Sequence, residues 1–314
     1  MNQTEILKKF GGVCVKQLLE QTLEDRLGYL LNGSAIKQPQ LMSDVEAVER
    51  KKELFARRQV EIVKAKAKAT LLDSTIQDDG AQHVQYLAHL TYVCKDVDDS
   101  FYLEEQVEKR EAFLYNDMLV KDRMMIEERQ MEEQVDERFQ TEEQFGRAFH
   151  YDRRAAVQYA ETYWNKRNPA YKNFEDNCTN FISQCLKAGN APTRGYPNRG
   201  SGWWVRPHTW SYSWTVAHSM KNYLANSKAG LRAKKLKEAQ ELQIGDVICY
   251  DFEGDGRYNH TTIVVDHDKG GMPLVNAQTY DSRMRYWSYE DSTAYTPAIR
   301  YTFFHILDDA AKDS

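Results

Sequence analysis

A cysteine at the start of one element and a histidine at the start of another are the residues best placed for chemistry. Cys178 lies in Asp176-Asn177-Cys178-Thr179-Asn180-Phe181-Ile182-Ser183-Gln184-Cys185-Leu186. Asp176 or Asn177 supplies an N-cap. Phe181, Ile182, Cys185 and Leu186 form one apolar stripe on the helix that follows, and Gly189-Asn190 stops it. Cys178 therefore falls in the first turn, where unpaired N–H groups and the helix dipole favour a thiolate. A lowered pKa there makes a nucleophile at neutral pH. Cys185, on the stripe, and Cys249, inside an apolar run, read as small core residues. A cysteine nucleophile needs a base, and the base needs an orienter. His260 opens the β-branched run Thr261-Thr262-Ile263-Val264-Val265, so it sits at the mouth of a core strand. The next strand, Leu274 to Thr279, carries Asn276 and Gln278 two residues apart, hence on one face. Either amide could hold the second imidazole nitrogen. His208 and His218 lie in a Trp-rich stretch, His267 in a turn and His305 on a terminal strand.

Composition limits what that chemistry can belong to. The 314 residues carry a formal charge of −5, which disfavours a dedicated nucleic-acid binder. No apolar run approaches the ~18 residues of a membrane helix. MNQTEILKKFGGVCVKQLLE lacks the basic and apolar regions of a secretory signal. That pattern points to the cytoplasm, with envelope association only by another export route. The five cysteines are scattered and no C-x-x-C pair exists, so neither a disulfide framework nor a structural zinc site is expected. No metal or organic cofactor is expected either.

The chain changes character near residue 150. Residues 1–150 hold 29 acids and 21 bases, whereas residues 151–314 hold 18 and 21. All six tryptophans follow residue 150. The expected organisation is an N-terminal α+β domain over 1–126, a charged linker helix over 127–150, a catalytic domain over 151–308 and a tail over 309–314. In the first, Ile6, Leu7, Phe10, Val13, Cys14, Leu18 and Leu19 have helical spacing, and Asn32-Gly33-Ser34 ends the element. Ser43-x-x-Glu46 opens a second helix that ends near Gln59. Lys64 to Ala69 alternates, although Lys and Ala also suit a helix. Val84, Tyr86, Ala88, Leu90, Tyr92 and Cys94 alternate as a strand, and Phe101–Tyr115 and 118–126 follow, joined at Asn116-Asp117. The pattern of helices followed by a β-meander is similar to a cystatin-like or NTF2-like cone, a domain expected to bind an unidentified protein rather than to catalyse.

In the second half, Tyr151 to Tyr163 has helical spacing, Gly245-Asp246 turns into a buried strand at Val247, and Lys228 to Lys237 reads as a basic surface helix. Trp203, Trp204, Trp210 and Trp214 follow Gly200-Ser201-Gly202. Such tryptophans either pack on a sheet or line a groove for a sugar or peptide. Trp203, Trp204 and Trp214 are the candidate substrate-binding residues.

Several stretches of this half, taken in order, resemble the bacterial putative amidase domain family, which belongs with the papain-like NlpC and CHAP cell-wall hydrolases. They are Tyr151 to Ala160, Asn168-Pro169-x-Tyr171, Asn177-Cys178-Thr179-Asn180-Phe181-Ile182-Ser183-Gln184, Trp203-Trp204, Ser213-Trp214, Gly245-Asp246-Val247-Ile248 and His260-Thr261-x-Ile263-Val264. The resemblance covers about residues 151–305. It implies an α+β, papain-like domain with a cysteine-bearing helix on an antiparallel sheet. It also implies Cys178 as nucleophile and His260 as base. The third polar position is often a histidine in an Ala-His-Thr context; here Ala277-Gln278-Thr279 makes Gln278 the implied orienter, with Asn276 the alternative. Where the family often has aspartate before the cysteine, this chain has Asn177, with Asp176 one place earlier. The implied activity is hydrolysis of an amide, in peptidoglycan or a related peptide, through a Cys178 thioester. Two other readings use the same residues: a non-catalytic binding protein on a papain-like scaffold, and a transglutaminase-like acyltransferase in which an amine replaces water.

Overall fold

A computed structural model describes residues 15–34, 44–125 and 149–309. Cys14, Ser43, the first half of the expected N-terminal helix and nearly all of the expected linker helix lie outside the described residues. The chain divides into two units, Met1–Glu128 with Glu290–Thr293, and Arg129–Tyr289 with Ala294–Ser314. Both are α+β with antiparallel sheets.

In the first unit, α1 (Val15–Asn32) and α2 (Val45–Arg57) precede a meander of β1 (Glu61–Ile76), β2 (Ala81–Lys95), β3 (Phe101–Tyr115) and β4 (Met118–Met124), paired in that order. The α1 helix ends as its sequence dictates: Gly33 takes a left-handed φ of 69° and donates its N–H to Tyr29 O. Alternation sets the sheet's inner face. Every second residue of β2 from Val84 to Cys94 is fully buried, and these pack with Leu19, Leu23 and Leu27 of α1. Lys64 to Ala69, ambiguous by period, belongs to β1. Asn116 and Asp117 both have positive φ, as a two-residue hairpin turn requires.

The inner face of β3 is charged. Arg110 is fully buried and bonds Asp44 (2.9 Å), Glu108 (2.7 Å) and Asp122 (3.1 Å). Arg26 of α1 grips Glu108 through both terminal nitrogens, at 2.8 and 3.0 Å. Tyr86 donates its hydroxyl to Asp122. Asp44 stands at the N-cap of α2 yet makes no side-chain cap bond, because the two guanidinium groups hold its carboxylate.

In the second unit, α3 (Arg153–Tyr163) and α4 (Cys178–Ala188) precede a small hairpin of β5 (Val205–Arg206) and β6 (Thr209–Trp210). Next come α5 (Tyr212–Thr215), α6 (Ala217–Asn226), β7 (Ala233–Leu236), β8 (Val247–Asp251), β9 (His260–His267), β10 (Pro273–Ala277), β11 (Ser282–Tyr286) and β12 (Arg300–Ile306). The unit's strands are ordered β11-β10-β9-β8-β12-β7. The expected surface helix over Lys228 to Lys237 is replaced by β7, which pairs Ala233–Leu236 with Ile306–Phe303. It ends the order, and its Lys234 and Lys235 suit an edge that must not recruit another strand.

Strands β8 and β9 are buried almost throughout, so both faces are covered. Helix α4 lies on one face, against β9 and β10. The other is packed by Ile248, Tyr250, Phe252, Val264, Val275, Tyr289 and Phe303. Among the described residues, no helix is long and apolar enough to cross a membrane.

Candidate active site

The first turn of α4 is an apolar helix's polar end. Asn177 occupies the N-cap, and Cys178 to Leu186 are all buried. Asn177 does not cap in the usual way. Its Oδ1 accepts the Phe174 N–H (3.1 Å) and an Asn180 Nδ2 hydrogen (2.9 Å), tying the incoming loop to the helix. Asn180 Nδ2 also reaches Lys172 O (2.9 Å), and Asn180 Oδ1 accepts the Trp214 indole N–H (2.8 Å). The backbone N–H groups of Asn177 and Cys178 both donate to the Thr279 hydroxyl, at 2.8 and 3.1 Å. Thr279 holds a φ of 83° to do so, an outlier for a β-branched residue.

The Cys178 thiol lies 3.7 Å from Thr179 Oγ1, which in turn meets Thr261 Oγ1 at 3.1 Å. Burial pushes the thiol above its ordinary pKa, and the negative charge of Asp176 adds to that. Hydrogen bonds from Thr179 and Thr261 pull the other way without winning. The expected low-pKa thiolate is thus reversed: desolvation of the charged form exceeds the hydrogen bonds that favour it. Iodoacetamide at pH 7 should label Cys178 no faster than free cysteine, with the rate climbing only beyond about pH 8.5. Faster labelling than free cysteine at pH 7 would contradict a buried, neutral thiol.

His260 starts β9 directly opposite Tyr250. Side chains alternate along a strand, so His260 and Thr261 face opposite ways. Thr261 meets the α4 turn. The His260 ring stands among Tyr289, Tyr250 and Phe252, at centroid distances of 5.1, 5.6 and 6.1 Å. The structure therefore brings Cys178 together with Thr261, and places the imidazole in the aromatic layer across the sheet.

The two candidate orienters face the helices. Gln278 Oε1 accepts from Asn177 Nδ2, and Gln278 Nε2 donates to the backbone oxygens of Tyr163 and Lys166. The implied role of Gln278 on the histidine is corrected accordingly. It joins the end of α3 to the N-cap of the cysteine helix. Asn276 donates to Glu161 (2.8 Å) and accepts the Met284 N–H (2.9 Å).

The tryptophan groove is also corrected. Trp203, Trp204 and Trp214 are at most 2% exposed. Trp203 donates to Ser183 Oγ, Trp204 to the carbonyls of Asn198 and Ser201, and Trp214 to Asn180. Gly202 allows this packing: at φ +72°, a Cβ would come within 2.1 Å of Arg194 O. The half-buried Trp210 is the one of the four that reaches surface beside the site. Sequence reasoning passed over Thr179, Thr261 and Thr279. Their signal was a hydroxyl next to each chemistry-bearing residue, at Cys178, His260 and Gln278. Among the described residues, no group of three or more His, Cys, Asp or Glu side chains could hold a metal ion.

Residues 150–304 match the family described as "Putative amidase domain". The chain is 62% identical over 309 residues to the uncharacterized protein YhbB of Bacillus subtilis (strain 168), covering 96% of this chain and 99% of that protein. It is 33% identical over 123 residues to the uncharacterized protein YjcM of the same organism, covering 36% of this chain and 27% of that one. No solved structure is a significant match. With a relative matched over nearly its whole length and the family's domain spanning residues 150–304, the chain belongs to the putative amidase domain family.

Proposed function

We propose that this protein is a papain-like cysteine amidase that hydrolyses an amide bond in peptidoglycan or a related peptide. The observation that carries the reading is Cys178 in the first turn of α4, on an antiparallel sheet, with the hydroxyls of Thr179, Thr261 and Thr279 about it. In this reading the Cys178 sulfur attacks the amide carbonyl, and its proton passes to His260. The carbonyl oxygen takes up negative charge beside the Cys178 N–H. His260 then protonates the departing amine, leaving a thioester on Cys178. Water, deprotonated by His260, attacks the thioester and releases the acid and the thiol. For this, the first residue of β9 must change face when substrate enters, a backbone rearrangement at the strand's end rather than a turn of the side chain. The domain that does this spans 151–308, and the first unit binds a protein partner.

A second reading, a binding protein with an idle cysteine, is favoured by one observation: the raised thiol pKa with the histidine turned away. Mass spectrometry separates the two. Incubation with peptidoglycan fragments should release new amines and leave an acyl mass on the Cys178 peptide. Binding without either product would establish the scaffold reading. A new amide formed only with added amine would make the protein an acyltransferase.

A further inference from the structure

The loop that leads into the cysteine helix carries an aromatic and cationic surface that the catalytic residues do not use. Phe174 and Trp210 meet edge to face, at a centroid distance of 4.9 Å. Lys172 Nζ stands 4.8 Å from the Trp210 ring and 5.3 Å from that of Phe174. The Arg199 guanidinium lies 4.8 Å from the Tyr212 ring and 5.5 Å from Trp210. Both cations are exposed, whereas the three rings are half-buried. Arg199 uses Nε to reach Trp210 O (3.1 Å), which leaves its terminal nitrogens for a ligand. Among the described residues, neither cation has a carboxylate partner, although Glu175 and Asp176 are both exposed on the same loop.

We propose that Lys172, Phe174, Arg199, Trp210 and Tyr212 form a subsite for a carboxylate-bearing peptide. This deepens the amidase reading by naming its substrate class, and rests on that reading for the step that follows binding. Three arguments converge. A cation held over a ring face is positioned without being neutralised, so its charge remains for an anion. A guanidinium whose fork is open matches a carboxylate in two parallel hydrogen bonds. Trp210 and Phe174 offer apolar area to the rest of the peptide.

The subsite is also fixed relative to Cys178. The Phe174 N–H is bonded to the N-cap Asn177, and the Lys172 carbonyl to Asn180, so two residues of the patch hang from the first turn of α4. A peptide anchored there by its carboxylate lies alongside the cysteine helix start. The nearby Trp203, Trp204 and Trp214 form the rigid floor of this region, not its binding surface.

The test measures binding without turnover. The full chain carrying Cys178→Ser is titrated by calorimetry with acetyl-Ala-Glu-Ala-amide and with its glutamine counterpart. Charge-assisted hydrogen bonds predict at least about a tenfold preference for the acidic peptide, weakening with salt. Adding Lys172→Met and Arg199→Met should abolish the preference while leaving the circular dichroism spectrum unchanged. Equal affinity for the two peptides, or a preference that survives both substitutions, would overturn the subsite. So would tighter binding of a single-stranded oligonucleotide, which a cationic aromatic surface could also stack. If the acidic peptide binds as expected but the wild type never cleaves one, the amidase reading fails and the subsite stands.

Discussion

Cys178→Ala should lower amide cleavage by at least about a thousandfold, because removal of a covalent nucleophile removes the route rather than tuning it. The fold should survive. The side chain lost is small, and the hydrogen bonds that fix the turn run through Asn177, Asn180 and Thr279. Cys185→Ala and Cys249→Ala provide the contrast. Both thiols are fully buried, and burial pushes both well above the ordinary cysteine range. Those substitutions should cost thermal stability yet keep turnover per folded molecule. Measuring kcat/KM and a melting curve on all three variants separates chemistry from packing. Retention of full activity by Cys178→Ala would end the cysteine mechanism. His260→Gln belongs in the same series, since it keeps much of the ring-layer volume while removing the base.

The second large effect lies in the first unit. Arg110→Met should destabilise it by about 3–5 kcal/mol, the usual consequence of stripping one partner from a buried ionic cluster. Asp44 and Glu108 would keep Arg26, and Asp122 would keep only the Tyr86 hydroxyl. The pH dependence gives a sharper signature. Burial alone would raise the Asp44 and Glu108 pKa values, but Arg26 and Arg110 outweigh it and hold both carboxyls below their ordinary range. Their stabilisation is therefore complete above about pH 4, the unfolded value, and is lost only as pH falls through the depressed folded values. In the variant Arg26, the larger opposing charge on both groups, still holds Asp44 and Glu108 down, but less far. Its loss of stability on acidification below about pH 4 should then be smaller than the wild type's. Urea melts from about pH 5 to about pH 3 should show a steep wild type and a shallower variant; parallel curves would mean that the cluster contributes little.

Where period or burial acts on one residue at a time, the sequence is easy to read. The alternation from Val84 to Cys94 declares β2, and the stripe from Phe181 to Leu186 declares the cysteine helix. Lys64 to Ala69 was ambiguous because lysine and alanine satisfy either period. Lys228 to Lys237 misled because a charged edge strand and a polar helix share a composition. At the site, Cys178 was legible from its helix start, but the direction of His260 was not. In a strand, parity decides the face, and one residue of register moves a side chain across the sheet. Nor does indole chemistry say whether a tryptophan is floor or wall. Trp203, Trp204 and Trp214 satisfy their N–H groups on the Ser183, Asn198, Ser201 and Asn180 oxygens, partners that folding alone brings together.

The Thr279 hydroxyl gives the proposed reaction an internal competitor. An amide oxygen reaching for the Cys178 N–H finds a hydroxyl oxygen already there, so ground-state substrate gains little by displacing it. An oxyanion is a far better acceptor than a hydroxyl, so the exchange becomes favourable only as the tetrahedral centre forms. A plug of this kind withholds a donor from bound substrate and yields it to the oxyanion, and so separates transition state from substrate without a single contact to the substrate's side chains.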